Sequence, residues 1–326
     1  MADGGRVGAE MIEIRRPARV LAPLVLDSPH SGTVYPEDFD PLQPPSRYRR
    51  AEDMYVDELF SAAPDLGMPL LAARFGRIYC DVNRAFDDLA PETLADGDEL
   101  VLAPSAKARL GKGVVWTATP PDGAPLLASA LPRSDYEARL ERCWRPYHAA
   151  LADLLAETRG AAGGVYHLDL HSMQPVANAM HEDETGGLRP DMVLSDREGR
   201  SCSAGFIAEA RRILLDLGFS VAINDPFKGR RSCAGMEIRT RVSTACRSRS
   251  IALSTWTSRA LKDGGFFEHA GAFDPVPARA ARLGRSTLDP HFHLATVEFW
   301  TRTGQESAIC RARSARAPAP GSRKRP

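Results

Sequence analysis

An α/β fold, in which strands and helices alternate in layers, follows from three features of this sequence. Short apolar runs rich in Val, Leu and Ile are bounded by Gly and Pro, as buried strands are. Two longer stretches repeat apolar residues every three or four positions, as helices do. Several of the apolar runs end in polar clusters, the arrangement expected where the carboxyl ends of strands carry chemistry. At 326 residues the chain has room for two average domains, or one large α/β domain with an extension.

The first strand is expected at 20–26, running out into Asp27-Ser28-Pro29-His30-Ser31-Gly32. A Pro- and Asp-rich loop leads to a helix expected at 47–63, on which Asp53 and Asp57 stand four apart and share a face beside Glu52. Short strands are expected at 68–73 and 77–82, the second ending in Asp81-Val82-Asn83-Arg84, and a further one at 114–116. Ser134-Asp135-Tyr136-Glu137 has the form of a capping box. It opens a helix to Gly160 whose stripe is Tyr136, Leu140, Trp144, Tyr147, Leu151 and Leu154, with a bend at Pro146. His148 lies beside that stripe and reads as a packing or hydrogen-bonding residue.

The central strand is Gly164-Val165-Tyr166-His167-Leu168-Asp169-Leu170-His171-Ser172. After a Gly- and acid-rich loop come a strand at 192–194, a helix at 204–217 closed by Gly218, and a strand at 219–223. From Arg230 onward neither strand alternation nor a long helical stripe is legible. The end, 311–326, is Arg, Ala, Ser and Pro with little else, a composition that favours disorder.

Lys+Arg and Asp+Glu number 42 each, so the chain as a whole has no field to draw in nucleic acid or an anionic membrane, and a small partner is expected. Six Cys without a Cys-x-x-Cys pair indicate neither a thiolate zinc knuckle nor a disulfide framework; reduced cytoplasmic thiols fit. The first sixteen residues have no apolar core of signal-peptide length, and no later run is long enough to span a bilayer. A soluble cytoplasmic protein is the expectation.

Two strands that each end in His-Ser suggest one site. His30 and His171 with a carboxylate would hold zinc through three protein ligands and leave a position for water, as catalytic zinc requires. Arg84, beside Asn83, offers a planar fork that grips a carboxylate through two hydrogen bonds. A Ser-His-Asp set built on Ser31 or Ser172 ranks lower, because neither Ser lies in a Gly-x-Ser-x-Gly elbow. Walker and Gly-x-Gly-x-x-Gly phosphate loops are absent.

Taken in order, Ser28-Pro29-His30-Ser31-Gly32, Asp81-Val82-Asn83-Arg84, Asp169-Leu170-His171-Ser172 and Asn224-Asp225-Pro226-Phe227-Lys228-Gly229 resemble the N-formylglutamate amidohydrolase family, over residues 18–229. The resemblance implies a mixed sheet flanked by helices, related to the zinc carboxypeptidase and aspartoacylase fold. It implies a bound divalent metal, zinc, and hydrolysis of N-formyl-L-glutamate, a small acidic N-acyl amino acid, to formate and glutamate in histidine breakdown. Carried over by motif, His30 and His171 become metal ligands, with Asp53 the favoured third ligand and Asp57 the alternative. Asn83 and Arg84 become the clamp on a substrate carboxylate. The catalytic domain is expected at 13–228 and an atypical tail at 229–326.

After the Lys-Gly segment the family should continue with a strand resembling Leu-Gln-Ile-Glu-Ile, whose Glu looks like the general base. Residues 243–258 read otherwise, but permitted codons for that run, taken from the third base, give Asp-Arg-Leu-Gln-Ile-Glu-Ile-Asp-Arg-Ala-Leu-Tyr-Met-Asp-Glu. A frameshift between Lys228 and Ser243 is therefore expected, with the tail translated out of frame and the sheet left with an uncovered edge. In the present frame Glu237 is the substitute candidate for the catalytic base. The alternative function is an impaired relative that binds an acidic metabolite without cleaving it.

Overall fold

The computed structural model describes residues 11–97, 100–177, 180, 188–216 and 218–228, together with the backbone of one strand at Arg249–Thr257. Its main sheet has seven strands: β1 (Ile12–Arg15), β2 (Leu24–Ser28), β3 (Leu70–Ala73), β6 (Tyr166–Met173), β7 (Met192–Ser195), β8 (Val221–Ile223) and β9 (Arg249–Thr257). The short strands β4 (Ala118–Thr119) and β5 (Ala124–Pro125) form a separate pair. The order across the sheet is β1-β3-β2-β6-β9-β7-β8. β3, β2, β6 and β9 run parallel to one another, whereas β1 and β7 pair antiparallel with β3 and β9, so the sheet is mixed.

Side chains alternate across this sheet, because successive residues of a strand point to opposite faces. Val25, Leu71 and Ala73 join Tyr147, Leu151 and Leu154 of α1 (Arg145–Ala162) in one core. Leu24, Leu26, Leu70, Leu168 and Leu170 join Phe206, Ile207 and Leu214 of α2 (Ala204–Asp216) in the other. Each fully buried Leu of these layers contributes roughly 1.5–3 kcal/mol through removal from water. The alternation also assigns His167, Asp169 and His171 of β6 to the α1 side, opposite Leu168 and Leu170. No helix among the described residues is long and apolar enough to cross a membrane.

The structure departs from the sequence reading at several elements. The helix expected at 47–63 is broken into short turns, Pro45–Tyr48, Arg49–Ala51 and Val56–Leu59, with Glu52 extended and Tyr55 at φ 66. A non-Gly residue in the left-handed region is strained, and here the break carries the chain inward at Asp53. Residues 77–82 and 114–116 are loops, not strands, tied together by Asp81 N–H donating to the Val114 carbonyl (2.7 Å) and Trp116 N–H to that of Ile78 (3.2 Å).

The capping box does not form. The helix begins at Arg133, whose N–H is satisfied by Asp96 Oδ1 (2.7 Å), while the Glu137 carboxylate accepts from the Arg133 side chain. That helix, Arg133–Arg139, passes through a π-turn at Leu140–Trp144 into α1, so the irregularity lies just before Pro146. Finally, β9 falls inside the segment read as a tail that would leave the sheet uncovered. It lies between β6 and β7 with backbone pairing to both, which corrects the expectation of an exposed edge. Ile251, Leu253, Thr255 and Trp256 have the β preference to occupy the slot in the present frame. The rest of 229–326 lies outside the described residues.

Candidate metal centre

The polypeptide brings three segments together at the carboxyl ends of β2 and β6. His30 follows β2, on a loop that crosses directly over the exit of β3. Gly32 permits the crossing, since a Cβ there would stand 2.3 Å from the backbone carbonyl carbon of Arg74. Asp53 is lashed to the same loop by its N–H donating to the His30 carbonyl (2.9 Å). His171 is the sixth residue of β6, at a point where the register with β9 shifts between His171 and Ser172. Such irregularities turn a side chain out of the regular pleat.

His30 Nδ1, His171 Nδ1 and Asp53 Oδ2 face one another: the nitrogens are 3.1 Å apart, and the oxygen is 3.3 Å from the first and 3.0 Å from the second. His30 and Asp53 are buried and His171 is nearly so. Each imidazole is held by a carboxylate on its far nitrogen. His30 Nε2 lies 2.8 Å from Asp81 Oδ1, and His171 Nε2 lies 3.0 Å from Asp169 Oδ1 and 2.8 Å from Asn83 Nδ2. With the His30 Nε2 proton committed to Asp81, the His30 Nδ1 lone pair is turned inward.

The donors suit zinc. Tetrahedral sites with ligand bonds of about 2.0–2.1 Å place adjacent donors about 3.3–3.4 Å apart, close to the separations found here, and imidazole with carboxylate is a borderline-hard set. Two imidazoles and a carboxylate packed this tightly need a cation between them. Where no metal is bound, a proton would fill that role. Burial alone would lower the His171 pKa, but Asp169 and Asp53 raise it to about 10. Burial raises the Asp53 carboxyl, yet hydrogen bonds from His171 and His30 and the charge of Arg77 hold it well below the ordinary carboxylate range.

Asp81 is fully buried and receives a ring of donors. Arg77 Nη2 (3.1 Å), Trp116 Nε1 (3.1 Å) and the backbone N–H of Asn83 (3.0 Å) surround it beside His30. Burial raises its pKa, but His30, Arg77 and Arg84 outweigh that and keep it ionised. Arg77 reaches Asp53 as well as Asp81, its Nη1 standing 3.5 Å from Asp53 Oδ1.

Of the residues singled out in the sequence, His30, Asp53 and His171 come together, with Asn83 beside His171. Arg84 is buried, its Nε donating to the Lys112 carbonyl (2.9 Å) and standing 3.8 Å from Asp81 Oδ2. Asp57 pairs with Arg15 at 3.7 Å, and Glu52 accepts from Arg49 and Tyr35, so neither belongs to the cluster. His148 is a hydrogen-bonding core residue, 2.9 Å from the Val82 carbonyl. Glu237 lies outside the described residues.

Sequence reasoning missed Asp169, Arg77 and Trp116 as parts of the site. It also missed the buried support beneath, where Tyr147 Oη donates to Asp27 Oδ2 (2.7 Å) and His167 Nε2 lies 2.7 Å from Asp27 Oδ1. The alternation His167-x-Asp169-x-His171 was the available signal, because a strand puts all three on one face.

Comparison with known proteins points to one family. The family model described as N-formylglutamate amidohydrolase matches residues 22–250. The chain is 27% identical over 234 residues to the N-formylglutamate deformylase of Pseudomonas aeruginosa, covering 67% of this chain and 76% of that protein. It is 29% identical over 211 residues to the N-formylglutamate deformylase of Pseudomonas putida, covering 64% and 72%. Among solved structures, the N-formylglutamate amidohydrolase of Ralstonia eutropha JMP134 superposes with a TM-score of 0.68 at 32% identity, over 93% of this chain and 99% of that one. A gene product of Agrobacterium tumefaciens, at 13% identity and a TM-score of 0.52, shares the fold.

Proposed function

The chain belongs to the N-formylglutamate amidohydrolase family, and from that membership we propose that it hydrolyses N-formyl-L-glutamate to formate and glutamate with the help of a divalent metal, zinc by the character of the donors. The observation that carries the proposal is the convergence of His30 Nδ1, Asp53 Oδ2 and His171 Nδ1, with each imidazole backed by its own carboxylate. A metal held there supplies Lewis acidity and lowers the pKa of water toward neutrality. Asp81 fixes the tautomer of His30, and the Asp169 charge lies beside His171 Nε2. Arg84 holds a carboxylate of the substrate and Asn83 orients it beside His171, so the formyl carbon is presented to the centre. Burial of the ligands keeps bulk water from screening these interactions.

We infer in addition that residues 243–258 are translated out of frame. The strand beside β6, Arg-Ser-Ile-Ala-Leu-Ser-Thr-Trp-Thr, carries no acid that could accept a proton from water. General-base assistance typically contributes about a hundred- to ten-thousandfold. Measuring formate release from N-formyl-L-glutamate with zinc added and with zinc chelated, beside calorimetric binding of the same compound, tests the function. Zinc-dependent release supports it; binding without release at any zinc concentration indicates an impaired relative, and neither binding nor release refutes the substrate.

A further inference from the structure

Trp116 was read from the sequence only as part of a strand, yet it sits buried against the outer side of the metal centre. Its indole makes two separate contacts there. Nε1–H donates to Asp81 Oδ2 (3.1 Å), on the oxygen opposite the one that faces His30 Nε2. Its ring face carries the Arg77 guanidinium, 5.0 Å from the centroid. The same guanidinium bonds Asp81 Oδ2 (3.1 Å) and stands 3.5 Å from Asp53 Oδ1. One side chain therefore limits the rotation of the carboxylate that orients His30 and supports the cation that steadies Asp53.

Trp116 is itself anchored. Its backbone N–H donates to the Ile78 carbonyl (3.2 Å) and it bridges to Lys112, whose carbonyl receives Arg84 Nε. The loops that carry Arg77, Asp81 and Arg84 are thus braced by the loop that carries Trp116, and the indole transmits that bracing to the ligands.

We propose that Trp116 is a positioning residue of the metal centre, acting through Asp81 on His30 and through Arg77 on Asp53. This rests on the metal reading above, with Trp116 touching neither substrate nor metal. Outer-shell partners of zinc ligands typically change metal affinity by about 10- to 100-fold when lost. Trp116→Phe retains an aromatic face for Arg77 and removes the N–H, so about a tenfold loss of zinc affinity is expected. Trp116→Leu removes both contacts and should lose more.

The test is a double-mutant cycle on zinc affinity, read by competition with a chromophoric chelator in the full-length chain, using Trp116→Phe, Asp81→Asn and the two together. If the indole acts through Asp81, the double variant binds zinc no more weakly than Asp81→Asn alone. Additive losses, or a Trp116→Phe affinity within twofold of the wild type, overturn the proposal. If Trp116→Phe lowers the metal-free melting temperature, β-(3-benzothienyl)alanine at position 116 keeps the ring shape without the N–H, and the same affinity criterion applies. A wild-type chain that fails to take up zinc overturns the metal reading itself, and is recognised before any variant is compared.

Discussion

The Nδ1 atoms of His30 and His171 stand 3.1 Å apart although 141 positions separate the two residues in the chain. Two imidazole nitrogens do not approach this closely without a proton or a metal between them. Asp53 Oδ2, 3.3 and 3.0 Å from them, closes the triangle. The arrangement gives the first prediction. Replacing His30, His171 or Asp53 by Ala should lower zinc affinity by more than about a hundredfold, beyond the range of outer-shell changes. Asp57→Asn should leave it unchanged, because Asp57 faces Arg15. Zinc titration of the four variants decides between the two acids.

Protonation sets a second expectation. His171 has a folded-state pKa raised to about 10 by Asp169 and Asp53 against the lowering effect of burial. A raised value means that the metal-free fold is stabilised by the proton. That contribution is fully present below about pH 6.5, the ordinary histidine value, and is lost as pH climbs through about 10. Thermal melts of the chelated protein between these limits should show falling stability, and zinc should restore it while releasing protons. Melting that is flat across the window in chelated protein contradicts the assignment.

Arg84 is the expected grip on a substrate carboxylate. Arg84→Lys keeps the charge but loses the planar fork. A charged hydrogen bond is worth about 1.5–3 kcal/mol, so kcat/KM should fall by about 10- to 150-fold. Zinc affinity should stay the same, and a change in zinc affinity instead of KM would move Arg84 from substrate to scaffold.

Beneath the site, Tyr147→Phe removes the donor to Asp27 Oδ2 and leaves that buried oxygen without it, at a cost of about 1–3 kcal/mol in stability. His167 still holds Oδ1. Chemical denaturation should reveal the loss, with zinc affinity retained.

The gene supplies a further prediction. Sequencing across the codons for Lys228 to Ser243 should reveal a frame that encodes Leu-Gln-Ile-Glu-Ile in place of the present 245–250, and expressing that frame should raise kcat by about a hundred- to ten-thousandfold. If no other frame encodes that strand, the frameshift is refuted.

Much of the fold was legible where the chain signals itself locally. β6 follows a Gly pair, α2 carries an apolar stripe closed by Gly218, and β7 is the short run Met192-Val193-Leu194; the structure places all three close to where the pattern does. Segments held by distant partners were not. Residues 77–82 are apolar and look like a strand, but their polar groups pair with the 112–116 loop instead of a ladder. Asp53 was readable as a candidate acid, while the break that turns it inward depends on a backbone bond to His30 and a left-handed Tyr55. β1 was missed because four residues with one exposed position give too short an alternation to recognise.

The most direct measurement is a zinc-edge anomalous difference map from a crystal of the full chain grown with zinc. The expected result is one strong peak about 2.0–2.2 Å from His30 Nδ1, Asp53 Oδ2 and His171 Nδ1. A map with no peak among these atoms, or with its strongest peak on other side chains, would contradict the metal centre.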